Sequence, residues 1–453
     1  MRLFRVLFVI AGLVLVFGAV NSAAALQGER SAPPEPRANQ QAVVPALGQP
    51  AAPQQATTSY TLPPEKYAKA VAYSQTQYRL YFIGFFYEVL VLLLVLRWKF
   101  GPRIRDWAES TSRVRFVQAI IFAPLLILTL DALSLPLRIY HHWLSLKYDI
   151  SVQGWGSWAW DWAKGELVGF TIGSILVWIL YAVIRRSARR WWFYFWLTAL
   201  PILLFLLFIG PVVIDPLFNK FEPLVNTQPA LVTALEKEVT RAGMNIPRER
   251  MFLMKASVKT KAIDAYVTGI GPSKRVVVLD TALQHMTVPE TLFVFGHEMG
   301  HYVLGHIWKL ISYFAAVLFV FLYLGYRFLG GVLGRWGAGW GIRGADDWAS
   351  LPALLLLLTI FSFLSSPVTN TFSRHVEHEA DIYGLEVTHG LIPNSTEVAA
   401  HAFQVLGEVD LADPHPSEFI KVWLYNHPPL AERLDFARSY DPWGKGQSPK
   451  FVQ

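Results

Sequence analysis

The 453-residue sequence contains no cysteine. Disulfides are therefore excluded, and any bound metal must be held by His, Asp or Glu. Charge is scarce as well. Asp, Glu, Lys and Arg make up 16% of the chain against 53% hydrophobic residues, where a soluble globular chain carries about 25% charged residues. The deficit is concentrated in long apolar runs, so the class is an integral membrane protein. A net charge of +7 would suit nucleic acid. The Lys and Arg, however, sit largely in short loops beside apolar runs, the distribution that orients membrane helices. The expected surroundings are a lipid bilayer, with no nucleic-acid partner.

Residues 1–26 begin with Arg2 and Arg5, continue through an apolar run from Leu7 to Val20, and end in Asn21-Ser22-Ala23-Ala24-Ala25. That layout serves either a secretory signal peptide or an uncleaved first transmembrane helix. Residues 27–64 are rich in Pro, Ala and Gln and poor in aromatics. Such a segment buries too little apolar surface to offset its ordering entropy, so it reads as a linker. Six further apolar runs follow, at 80–96, 116–136, 167–184, 192–214, 307–333 and 350–368. Each is long enough, or nearly so, to cross about 30 Å of hydrocarbon as a helix. Tyr78 and Trp98 flank the first as interfacial aromatics would. Asp131, inside the second, is costly in lipid and should face the bundle interior or a wet cavity.

The water-facing part is split between residues 215–306 and 369–453. Pro229–Ala242 has helical periodicity; Arg250–Lys255, Ala262–Thr268 and Arg275–Leu279 read as strands, with a turn at Ile270–Ser273. Thr287 and Glu290 have the spacing of a capping box. The helix they start is expected to run straight into the fifth apolar run.

That helix carries Phe295-Gly296-His297-Glu298-Met299-Gly300-His301, which contains H-E-x-x-H. Residues four apart share a helix face, so His297 and His301 can reach one Zn²⁺ at about 2.0–2.1 Å. Glu298 can then address a water on the metal instead of the metal itself. A catalytic zinc normally takes a third protein ligand and keeps an open position. Downstream, Ser373-Arg374-His375-Val376-Glu377-His378-Glu379-Ala380-Asp381 offers His375, Glu377 and His378, any of which could serve by chemistry alone. Asp381, four residues after Glu377, could accept a hydrogen bond from a ligand imidazole and fix its tautomer. His306, five residues after His301, points elsewhere on a continuous helix and reads as supporting, not ligating.

H-E-M-G-H together with S-R-x-x-E-x-x-A-D resembles the Ste24 type of CAAX prenyl protease, in the M48 group of membrane zinc metallopeptidases. Ile214–Phe221 resembles the family's entry to the peptidase domain, Gly300–His306 its continuation of the zinc helix, and His427-Pro428-Pro429-Leu430-Ala431-Glu432-Arg433-Leu434 its C-terminal signature. The resemblance covers roughly residues 65–440. It implies a mainly α fold: about seven transmembrane helices around a chamber, with a zincin-like metallopeptidase domain containing a small β-sheet. The division would be a transmembrane region over 65–214, a peptidase domain over 215–440 that includes two spans, and a tail over 441–453.

By the same resemblance Glu377 is the third ligand to one zinc ion per chain, and Arg374 and Asp381 are supporting residues. His427 and Arg433 would belong to the catalytic site, His427 as a donor to the developing oxyanion. The family often has Asn-Ala-Tyr on the strand beside the active site, where substrate backbone can pair with a sheet edge. Here the candidate substrate-binding residues are Asp264-Ala265-Tyr266, and an ionised Asp cannot donate the hydrogen bond that Asn can.

The implied activity is zinc-dependent endoproteolysis of a peptide or protein substrate that is prenylated or membrane-associated. Two alternatives remain: quality control of membrane proteins without prenyl specificity, and a non-catalytic scaffold on a peptidase fold. A site-2-type intramembrane protease is disfavoured by the S-R-x-x-E-x-x-A-D segment. Positive loops at 97–115 and 185–190 belong inside, which places 215–306 and 369–453 outside. The concrete expectation is a bacterial inner membrane with the site facing the periplasm.

Overall fold

The computed structural model describes residues 60–269 and 273–452. The segment at 1–26, the linker up to residue 59 and residues 270–272 of the expected turn lie outside the described residues.

Among the described residues six helices are long and apolar enough to cross a membrane, near the seven expected. In lipid a span must satisfy its own backbone groups, so each apolar run closes into helix. The spans are α1 (Pro64–Arg97), α3 (Arg115–Lys147), α4 (Trp155–Arg186), α5 (Trp191–Ile209), α9 (His306–Val332) and α10 (Leu351–Thr388), with a short α2 (Phe100–Thr111) after α1. α1, α3, α4 and α10 extend well beyond their apolar runs, whereas α5 and α9 do not. At 1.5 Å per residue the 38 residues of α10 reach about 57 Å, nearly twice the hydrocarbon thickness. That surplus carries Glu377 and Asp381 out of the apolar run on an unbroken helix.

α1, α10, α9, α5, α4 and α3 neighbour one another in that order, and α3 returns to α1, so the six spans form a closed ring. A hydrophobic cluster that includes Val95, Phe122, Tyr181, Trp191 and Trp348 packs the spans together. Asp131 is buried within the bundle, paired with Arg138 and accepting from Trp162 Nε1 at 3.3 Å.

The water-facing elements between α5 and α9 are β1 (Phe221–Pro223), α6 (Pro229–Arg241), β2 (Met251–Met254), β3 (Ala265–Thr268), β4 (Arg275–Leu279), α7 (Asp280–His285) and α8 (Val288–Val303). The four-stranded sheet has the order β1-β2-β4-β3, with β2 and β4 parallel and the other pairs antiparallel. β3 therefore lies at an edge and packs on α8. After α10 come α11 (Ser395–Val409), α12 (Glu418–Leu424) and α13 (Leu430–Ser439).

The capping box at Thr287 and Glu290 forms as expected. The continuous helix does not. α8 ends at Val303, Gly305 takes φ +69°, and α9 restarts at His306. A left-handed residue cannot continue an α-helix, and glycine adopts that conformation without a Cβ clash.

Candidate metal centre

α8 and α10 cross where both carry glycine. A Cβ on Gly384 would stand 3.0 Å from His297 N, and one on Gly296 would stand 2.8 Å from Val387 Cγ1. The bare backbones let the helices approach until one turn of α8 faces one turn of α10. His297 and His301, a turn apart on α8, bring their Nε2 atoms to 3.3 Å. Glu377 of α10 places Oε2 at 3.2 Å from His297 Nε2 and 3.7 Å from His301 Nε2.

This buried oxygen makes no hydrogen bond to any of the surrounding nitrogens, although His427 Nε2 is also only 3.1 Å away. The contacts are close, but their angles are wrong for donation. A tetrahedral ion with ligands at 2.0–2.1 Å separates neighbouring ligand atoms by about 3.3 Å. Three donors converging with edges of 3.2–3.7 Å, one of them an orphaned carboxylate oxygen, therefore fit a metal ion. Glu298 belongs to the same cluster: one ligand atom each from His297, Glu298 and His301 lies within 4.8 Å of the others. His375 and His378 instead line a groove with Lys421, Glu432 and Phe436, and the ring of His378 packs 4.5 Å from that of Phe436.

Each imidazole is held from behind. His297 Nδ1 donates to Asp381 Oδ1 at 2.8 Å, which leaves Nε2 free to face the cluster. Arg433 clamps Asp381 with two bonds, Nε to Oδ2 at 2.9 Å and Nη2 to Oδ1 at 2.6 Å, and lies over the Phe403 ring. His301 Nδ1 meets His306 Nδ1 at 3.1 Å, and His306 Nε2 donates to Glu379, which also accepts from Lys309. The break at Gly305 turns His306 back onto His301, which spacing along a continuous helix would not do.

Burial disfavours charge on His297, yet its bond to Asp381 and the adjoining Glu377 carboxylate prevail and raise its pKa to about 9. His301 lacks a comparable anchor, and burial pushes it well below the usual histidine range. Burial pushes the Glu298 carboxyl up, and the nearby negative charges of Asp264 and Glu377 add to the effect.

Arg374 does not touch the cluster. Its Nη1 donates to the carbonyls of Lys421 and Tyr425, at 2.8 and 2.6 Å, and so fixes the segment leading to His427. His427 Nδ1 pairs with Asn426 Oδ1 at 2.8 Å. Of the tripeptide, Ala265 and Tyr266 begin the edge strand β3, both buried, while Asp264 precedes it with its carbonyl bonded to Leu279 N. The contact of Glu379 with His306 is not legible in the sequence, where Gly305 is its only local signal.

Residues 46–220 match the family described as CAAX prenyl protease N-terminal, five membrane helices, and residues 226–441 match Peptidase family M48. The uncharacterized metalloprotease YhfN of Bacillus subtilis is 34% identical over 84% of this chain and 88% of its own length. The CAAX prenyl protease 1 homolog of Homo sapiens is 25% identical, over 74% of this chain and 77% of its own. The crystal structure of S. mikatae Ste24p superposes with a TM-score of 0.71 at 23% identity, covering 84% of this chain and 90% of that one. At that identity the structural likeness speaks for the fold alone.

Proposed function

This chain belongs to the Ste24-type membrane metallopeptidases of family M48, and from that premise we propose that His297, His301 and Glu377 hold one zinc ion at which Glu298 promotes peptide-bond hydrolysis. The observation that carries the assignment is the buried, unpartnered Oε2 of Glu377 facing the two Nε2 atoms. A His₂Glu set without sulfur suits zinc in a catalytic site.

When bound, zinc supplies Lewis acidity to the attacking water and the scissile carbonyl. Glu298 takes the proton of that water on its carboxylate and returns it to the leaving amine nitrogen. His427 donates from Nε2 to the oxyanion that develops on the carbonyl. Asp381, clamped by Arg433, orients His297, and Arg374 holds the segment that positions His427. The edge strand β3, starting at Ala265 and Tyr266, pairs with extended substrate backbone. Asp264 adds negative charge beside Glu298 where the family often carries a neutral amide.

The substrate is a peptide or protein, and the finer reading is a membrane-associated one. The CAAX prenyl protease likeness favours a C-terminally prenylated chain. Comparing cleavage of a prenylated peptide with that of its unprenylated twin tests this point: equal rates would favour membrane-protein turnover without prenyl specificity. The chemistry is tested by zinc-supplemented hydrolysis of an unfolded peptide. Glu298→Gln should lower turnover by roughly 10²–10⁴-fold while zinc stays bound, and near-native turnover would remove Glu298 from its role.

A further inference from the structure

α12 follows the last apolar run by many residues, yet its aromatic side chains pack among residues of two spans. Phe419 stacks on Phe82 with ring centroids 5.8 Å apart, and Trp423 lies 6.1 Å from Phe82 and 4.7 Å from Phe363. Phe82 sits in the apolar run of α1 and Phe363 in that of α10, and Phe363 stacks further on Phe85 at 3.8 Å. α12 therefore stands at the depth of membrane-spanning residues, not above them.

The packing of α10 also indicates on which side of the ring α12 lies. α10 meets α1 through Phe363 and Ser366, and α9 through Thr369 and Phe372. At 100° per residue these two faces leave a narrow arc and a wide one. In a closed ring of six helices the narrow arc of each helix faces the interior. The wide arc holds Leu364 and Val368, which are 63% and 66% exposed, as lipid-facing side chains would be. Arg374, which grips α12, lies between the α1 face and this wide arc. On α12 itself Phe419 and Val422, three residues apart, are 59% and 37% exposed. Lys421 turns away to Glu432, with Nζ 2.6 Å from Oε1.

We propose that α12 is an interfacial helix whose Phe419–Val422 edge lies against lipid acyl chains. This contact follows from the packing of the spans and does not depend on the protease reading. Phe86, Leu364 and Val368 are likewise exposed on the two spans against which α12 packs, and an amphipathic segment with an aromatic face settles at a lipid boundary. The consequence reaches the metal centre. Arg374 and Asn370 of α10 hold the carbonyls of Lys421, Trp423 and Tyr425, and His427 is two residues further on. The bilayer thus supports the segment that carries His427.

The absence of native cysteine makes single-site labelling unambiguous. Phe419→Cys, Val422→Cys and Glu418→Cys, the last at a side chain 82% exposed, are each nitroxide-labelled in the full chain. The proteins are placed in nanodiscs of phosphatidylethanolamine and phosphatidylglycerol. Power-saturation electron paramagnetic resonance then compares collisions with oxygen and with a water-soluble nickel chelate. Oxygen should exceed the chelate several-fold at 419 and 422, and the order should reverse at 418. Chelate dominance at 419 and 422 would place the edge in water. Low accessibility to both reagents at 419 and 422 would mean that protein covers it. Either result overturns the proposal.

Discussion

Single residues divide into those that face the candidate metal centre and those that hold them in place, and the second group is the harder to read from sequence. His297 and His301 are legible because H-E-x-x-H at helical spacing has few other uses. Glu377 is not legible from spacing alone, since His375 and His378 share its chemistry. Only the orientation of α10, set by the glycine crossing, turns Glu377 towards the imidazoles and leaves His375 and His378 in the outer groove. His306 is the clearest case of information held in the fold, because its contact with His301 depends on the break at Gly305. Removing an outer partner of a ligand typically costs about 10–100-fold in metal affinity. His306→Ala should weaken zinc binding by that factor in a competitive chelator titration, without removing a ligand. An unchanged affinity would show that His301 needs no support from this side.

Among the elements, the crossing of α8 and α10 has the tightest tolerance. Gly384→Ala would push a methyl to 3.0 Å from His297 N, where only backbone movement gives relief. Overpacking of this kind costs about 1–3 kcal/mol, so the variant should melt earlier and bind zinc less tightly, and a wild-type melting curve would contradict the crossing. The start of α8 carries a pH dependence. His401 is raised above the usual 6.5 mainly by its bond to Glu290, with Glu408 adding to the rise and Arg438 opposing it. Burial works against the Glu290 carboxylate, but its bonds to His401 and Thr287 pull it below 4.5. The histidine's contribution is complete below 6.5 and fades as pH rises through its raised pKa. The contribution of Glu290 is complete above 4.5 and fades as pH falls through its lowered pKa. Intrinsic-rate-corrected hydrogen exchange in the first turn of α8 should therefore quicken as pH rises from 6.5 through the raised pKa of His401, and His401→Ala should flatten that response. A change of equal size in the variant would assign the effect elsewhere. The capping box was legible in Thr287 and Glu290, and the apolar runs marked the spans. The helix ends were not legible, because polar turns outside lipid continue a helix without any change of period.

For the whole molecule, the fold fixes which loops share a side of the membrane but not which side is inside. Arg105 bonds Asp347 Oδ2 at 2.6 Å and Gly341 O at 3.1 Å, and Arg185 lies 4.2 Å over the Trp348 ring. The loops around 97–115, 185–190 and 334–349 therefore gather at one end. The last of them carries only Arg335 and Arg343, yet it lies at the same end as the two positive loops. At the other end Ser151 pairs with Thr260, tying the α3–α4 loop to the sheet region. The absolute direction is proposed from the loop charges alone, by which the candidate metal centre would lie outside. A reporter active only in the cytoplasm should be silent when fused after Gln453 and active when fused at Arg189. The reverse pattern would invert the orientation while leaving the fold intact.

The assignment of the metal site is tested most directly by the zinc content of three purified full-length variants. Glu377→Ala should lose most of its zinc, whereas His375→Ala and His378→Ala should keep one ion per chain. Full zinc in Glu377→Ala, together with loss in either histidine variant, would contradict the site as built from α8 and α10.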